Sequence, residues 1–93
     1  MLTENIIIKN TAGLHAKPAS LFVQTANEFT SEIYVCKGST RVNAKSIMGV
    51  MMLAAACGTV LKIEVDGEDE DVALKALVEL IASGFGEELG AGA

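Results

Sequence analysis

Apolar residues along this chain recur with two different periods, and the periods separate strands from helices. ENIIIKN, residues Glu4 to Asn10, is a short β-branched run closed by Asn10 and, soon after, by Gly13; it predicts a buried strand. From Pro18 onward the pattern changes, with Ala19, Phe22, Val23 and Ala26 at the spacing of a one-faced helix. A proline in a first helical turn costs little, because an N–H there has no intrahelical carbonyl to bond. That pattern ends near NEFTSE.

EIYVCK and TRVN read as two strands separated by Gly38-Ser39, a two-residue hairpin signal. Ser46 then precedes IMGVMMLAAAC, which predicts a compact helix stopped by Gly58. TVLKIEVDG alternates, with Leu61, Ile63 and Val65 on one face and Lys62 and Glu64 on the other, so one face of its sheet should be wet. EDEDVALKALVELIASG is the clearest helix. Ala73, Ala76, Leu77, Leu80 and Ile81 form one stripe, carboxylates crowd the first turn, and Gly84 lies at the end. The tail FGEELGAGA is expected to fray.

The order β-α-β-β-α-β-α, with its hairpin and its alternating strand, predicts an α+β fold. The expected form is an open-faced β-sandwich, with three helices on one face of a four-stranded, mainly antiparallel sheet. Neither a repeat nor a linker interrupts the pattern. Residues 1–88 are therefore expected to form one domain and residues 89–93 a disordered tail.

Composition narrows what such a domain can do. Half the residues are hydrophobic (51%) but only 4% are aromatic, so the core must be built from Ile, Val, Leu, Ala and Met. The mainly apolar, uncharged run Ser46 to Val60 is shorter than the ~20 residues that span a bilayer. MLTENIIIKN lacks the basic start and the apolar length of a secretory signal. Two cysteines, Cys36 and Cys57, form neither a CxxC pair nor a disulfide framework, and with a single histidine they offer no zinc site. They read as small hydrophobes. A cytoplasmic location is the expectation, and no cofactor or metal is implied. A net charge of −5, with Lys and Arg scattered singly, leaves no basic stripe for nucleic acid. Proteins or small molecules are the expected partners.

GLHAKPAS, residues Gly13 to Ser20, contains the single histidine and the single proline. His15 would stand just before a helix N-terminus, where free amides and the macrodipole favour an anion. Pro18 supplies no donor, so the amides of Ala16 and Lys17 are the ones left to hold it. Gly13 allows the sharp turn that presents the ring. Free imidazole is largely neutral near pH 7 and so nucleophilic. A phosphoryl group on His15 would place its charge on that helix end beside the Lys17 ammonium, and phosphoryl transfer asks for little beyond positioning and charge stabilisation. Taken by position alone, a lone histidine before a helix is more often a surface residue or an improvised cap. Lys17 alone is more often a solvated side chain, and the Glu68–Asp71 cluster is most simply a charged first turn.

GLHAKPA together with NAKSIMGVMML, about thirty residues on, resembles the HPr family, the phosphocarriers of the bacterial phosphoenolpyruvate-dependent sugar phosphotransferase system. The resemblance covers the chain apart from its tail. It implies that His15 accepts a phosphoryl group from enzyme I, through the ring nitrogen facing the helix, and passes it to sugar-specific enzyme IIA domains. The protein would then be a substrate of enzymes rather than an enzyme. Lys17 stands where the family usually has arginine, which keeps the charge but loses the bidentate fork. The second motif resembles the Gram-positive type, whose serine is phosphorylated by a kinase/phosphorylase; here that residue is Ser46. Ser46 is equally a natural N-cap for the helix that follows. The resemblance further implies that the serine-phosphorylated form reacts poorly with enzyme I and, in some bacteria, binds a catabolite repressor.

Ile47, Met48 and Met51 are the expected docking patch, with Val50 and Leu53 in the core, since Met suits a surface that repacks against several partners. Met52 replaces an expected serine and Cys57 a more usual lysine. A monomer is expected, because docking to several proteins needs an open surface. Two other readings stay open: a regulatory module acting mainly through phosphorylated Ser46 and repressor contact, and a carrier in a nitrogen-related or dihydroxyacetone phosphotransferase branch.

Overall fold

A computed structural model describes residues 1–87. Four strands and three helices alternate as expected: β1 Leu2–Ile7, α1 Ala16–Asn27, β2 Glu32–Lys37, β3 Thr40–Asn43, α2 Ile47–Met52, β4 Val60–Asp66 and α3 Glu70–Ala82, followed by a single 3₁₀ turn at Gly84–Gly86. The strands lie in the order β1-β4-β2-β3 and every pairing is antiparallel. Both central strands, β2 and β4, carry the buried residues of the sheet: Ile33 and Val35 face the same side as Leu61, Ile63 and Val65. The helices cover that side through Phe22 and Ala26 of α1, Val50 of α2, and Ala73, Leu77 and Ile81 of α3. Lys62 and Glu64 occupy the open face, where Arg41 donates to Glu64 (2.8 Å) while its guanidinium lies 3.7 Å from the Tyr34 ring centroid. The α+β open-faced sandwich is therefore the observed architecture. Lys37 pairs with Thr40 across the hairpin, and Gly38 takes the positive φ (59°) that a two-residue turn needs at its first central position.

Three local expectations are corrected by tertiary pairing. The first strand runs from Leu2 to Ile7 rather than from Glu4 to Asn10, and it is an edge strand with one wet side rather than a buried one. A strand extends only as far as its partner, and β4 supplies partners for Leu2 through Ile7. Ile7 is consequently 48% exposed, whereas Ile8, just beyond the strand, is buried and exchanges main-chain hydrogen bonds with Gly58 and Thr59.

The second helix stops at Met52, well short of Cys57. The carbonyls that would have continued it are taken by tertiary donors: Lys37 Nζ bonds the Leu53 carbonyl (2.9 Å), and the Leu14 amide bonds that of Ala55 (2.8 Å). Ala54, with φ at 48°, makes the left-handed turn that breaks the helix. Cys57 is thereby exposed rather than packed as a small hydrophobe, while Cys36 is buried.

The third correction concerns FGEELGAGA. Phe85 is buried in the core and Glu87 returns to the loop before α1, so the segment through Glu87 is packed rather than frayed. The expected tail, 89–93, lies outside the described residues. Among the described residues no helix is long and apolar enough to cross a membrane.

Candidate phosphoryl-acceptor site

The site is built by a loop pinned between two elements. After Ile8 enters the core, Asn10 turns inward, fully buried, and its Nδ2 donates to the Gly13 carbonyl at 2.7 Å. The Gly13 amide donates back to the Asn10 carbonyl at 3.0 Å, closing a tight turn over Thr11 and Ala12. Gly13 has φ at 72° and lies flat against main chain: a Cβ there would come within 2.7 Å of the Ala55 carbonyl oxygen. Leu14 buries its side chain beside this contact, and the next residue, His15, is left at the N-cap of α1.

His15 does not cap the helix with its side chain. The helix begins at Ala16, so the Ala16 and Lys17 amides have no intrahelical carbonyl, and Pro18 brings none to satisfy. His15, Ala16 and Lys17 thus meet at one helix end, with the imidazole 44% exposed. Its Nε2 lies 3.1 Å from both carboxylate oxygens of Glu87, and Thr11, Ala12, His15 and Glu87 line a shallow cleft.

Glu87 is itself held. Asn10 Nδ2 donates to its Oε1 at 3.0 Å. This hydrogen bond, and then the contact with His15, keep the Glu87 carboxyl below the usual carboxylate range, with Lys17 adding a smaller pull through space. Two acceptors on Nδ2 fix the orientation of the Asn10 amide. Its Oδ1 is buried and finds no partner among the described residues, a desolvation cost accepted for that fixed orientation.

Glu87 and Asn10 are the residues that sequence reasoning missed. A signal existed for each. Phe85 is one of few aromatics and stands between two glycines, which marks a turn returning an apolar ring to the core; Asn10, three residues before Gly13, fits the start of a turn.

Ser46 lies elsewhere, at the N-cap of α2, where its Oγ accepts from the Gly49 amide at 3.2 Å. Of the residues after it, Met48 is 74% exposed and Met52 77%, while Ile47 and Met51 are also open. Val50 of this short helix and Leu53, just past its end, are buried. The Glu68–Asp71 cluster divides its labour: Glu70 and Asp71 are the acidic first turn of α3, but Asp69 reaches across to accept from the amides of Thr30 (2.8 Å) and Ser31 (3.0 Å) and from the Ser31 hydroxyl.

Comparison with known proteins agrees with this architecture. Residues 2–83 match the family model described as the PTS HPr component phosphorylation site. A phosphocarrier protein HPr from Neisseria meningitidis is 55% identical over 94% of this chain and 98% of its own, and one from Treponema pallidum is 48% identical over 95% and 100%. Among solved structures, HPr-C-His from Thermoanaerobacter tengcongensis superposes with a TM-score of 0.92 at 57% identity, covering 96% of this chain and all of that one. An HPr dimer from the same organism gives 0.76 at 56% identity, covering 94% and 100%. These matches define a small phosphotransferase-system component. This chain belongs to the HPr family.

Proposed function

We propose that this chain is a phosphocarrier that takes a phosphoryl group from enzyme I onto His15 and delivers it to enzyme IIA domains in the cytoplasm. The observation that carries this reading is the half-open imidazole at the N-cap of α1, beside two amides with no intrahelical partner. A phosphoryl group on the ring would meet the Ala16 and Lys17 amides and the positive end of the helix, with the Lys17 ammonium nearby. The main chain supplies this stabilisation, which supports transfer even with lysine in place of arginine. The protein is the substrate of its partners' chemistry and returns unchanged after each cycle.

Ile47, Met48 and Met51 form the docking patch in this reading, and Ser46 at its edge is the regulatory phosphorylation site, served by a kinase/phosphorylase and read by a catabolite repressor. A phosphate at Ser46 would sit at a helix start that tolerates negative charge, so it would act on partners by adding about −2 charge beside an apolar patch. The carrier works as a monomer, which keeps that patch open. A solution mass twice that of the chain would replace this with a dimer.

Incubation with phosphoenolpyruvate and enzyme I, read by intact mass, tests the carrier. One acid-labile phosphoryl group should appear and should be absent in His15→Ala. Persistence of the added group in His15→Ala would remove the assignment. A group at Ser46 survives acid and is told apart by that.

A further inference from the structure

Methionine is distributed in this chain in one way only. Of its four methionines, Met1 begins the chain, and Met48, Met51 and Met52 all fall within the six residues of α2. None helps to build the core, which is filled by Ile, Leu, Val, Ala and Phe side chains. Met48 and Met52 are 74% and 77% exposed and Met51 44%. Spacings of three and four residues make Met51 and Met52 neighbours of Met48 on one face of the helix.

Leucine or isoleucine would make an equally apolar docking surface. What a thioether adds is a sulfur lone pair that a two-electron oxidant can reach, and the sulfoxide it becomes is polar and chiral. Position decides what that change does. In a core a sulfoxide disrupts packing, whereas on the open side of α2 it stays hydrated and the fold tolerates it. The penalty arises only when a partner covers the patch and strips that water away.

We propose that Met48, Met51 and Met52 form a reversible oxidation site, at which a hydroperoxide turns thioethers into sulfoxides and so weakens docking to enzyme I while the domain stays folded. The inference rests on the carrier reading and adds a control of its docking patch. In the forward step the sulfur lone pair bonds the terminal peroxide oxygen and the O–O bond breaks. The departing oxygen takes that bond's electron pair and the hydroxyl proton, leaving as an alcohol, or as water when the oxidant is hydrogen peroxide. Sulfur gives up two electrons and the peroxide gains them. Reversal takes two thiols of a sulfoxide reductase, which supply two electrons, close to a disulfide and release the oxygen as water.

The two cysteines lie outside α2. Cys36 is buried in the sheet, and burial pushes its thiol up, away from the reactive thiolate. Cys57 is exposed in the segment after α2, its Sγ 3.7 Å from the Lys9 carbonyl oxygen. Disulfide and sulfenic products at either thiol are reversed by dithiothreitol, which leaves sulfoxides intact, so the two chemistries are separable.

The test treats the full chain with hydrogen peroxide, then with dithiothreitol, and maps added oxygen by peptide mass. Met48 and Met52 should gain oxygen first and Met51 more slowly, in the order of their exposure. The Tm should stay within about 3 °C of the untreated value. Loading from phosphoenolpyruvate and enzyme I should show the KM for this chain raised about tenfold or more, as a buried sulfoxide without a partner implies. Loading of His15 from phosphoramidate, a small donor that needs no docking patch, should be unchanged. Sulfoxide reductases of both stereospecificities should bring the KM back.

Met1, 64% exposed, is oxidised alongside the others. The triple variant Met48→Leu, Met51→Leu, Met52→Leu retains it and is compared only with itself, before and after peroxide. Whatever its starting KM, peroxide should leave that value where it was. An unchanged KM in oxidised wild type, an equal rise in the triple variant, or unfolding on oxidation would each overturn the proposal. Failure of the untreated chain to take a group from enzyme I would instead refute the carrier reading, and the effect on docking with it.

Discussion

The Leu14 amide donates to the Ala55 carbonyl at 2.8 Å, tying the loop that presents the histidine to the segment that follows the second helix. The first sequence motif is joined through this bond to the segment just past the second. Gly13, its neighbour, permits the approach by having no side chain.

Gly13→Ala should therefore be costly. Its φ of 72° disfavours any Cβ, and the added atom would meet three main-chain atoms of one segment, Ala55 O, Ala56 Cα and Ala56 C. Main chain cannot swing aside as a flexible side chain can. The expected loss is about 2 kcal/mol or more, roughly 10 °C in Tm, with reduced phosphoryl acceptance by His15. Thermal unfolding measures the first and intact mass the second; a variant as stable as wild type would contradict the packing described.

Ser46→Ala should cost about 1 kcal/mol, because Oγ caps α2 by accepting from the Gly49 amide. Loading of His15 should be unchanged in this variant, since the cap lies on another helix. Urea denaturation alongside a loading assay separates the two. Equal stability would show that the cap contributes nothing.

Met48 and Val50 are two positions apart on α2 and belong to different worlds. Met48→Lys should alter stability by no more than about 0.5 kcal/mol and slow transfer from enzyme I several-fold, as the side chain is 74% exposed. Val50→Ala, at a fully buried site, should cost about 2 kcal/mol. Per folded molecule, it should leave transfer near normal. Equal transfer rates for Met48→Lys and wild type would remove Met48 from the docking patch.

Asp69 links the start of α3 to the turn before β2. Hydrogen bonds from Ser31 and Thr30 hold its carboxyl down at about 2, against an ordinary 3.8. A carboxyl lowered on folding stabilises the native state fully above the unfolded value, and that contribution fades as pH falls from about 4 toward 2. Asp69→Asn should lower Tm at pH 7, and the gap from wild type should close across that acid range. A gap independent of pH would assign the loss to packing instead.

The sequence by itself determined the element order and most of the core, because both follow from local periodicity. Leu61, Ile63 and Val65 alternate since a strand presents every second side chain to one face, and Ala73, Leu77 and Ile81 recur at helical spacing. The histidine's place before a helix was equally legible, since proline and small residues announce a helix start to any reader of the chain.

What only the tertiary structure decided were the ends of elements and the partners of the site. Strand β1 stops where β4 ceases to pair with it, and α2 stops where Lys37 and Leu14 claim the carbonyls it would have used. Glu87 reaches His15 only because Phe85 is drawn into the core, fixing the turn before Glu87 beside a loop more than seventy residues earlier. Periodicity records which way a side chain faces within its own element; a hydrogen bond between distant segments leaves no mark on that pattern, and it is such bonds that complete this site.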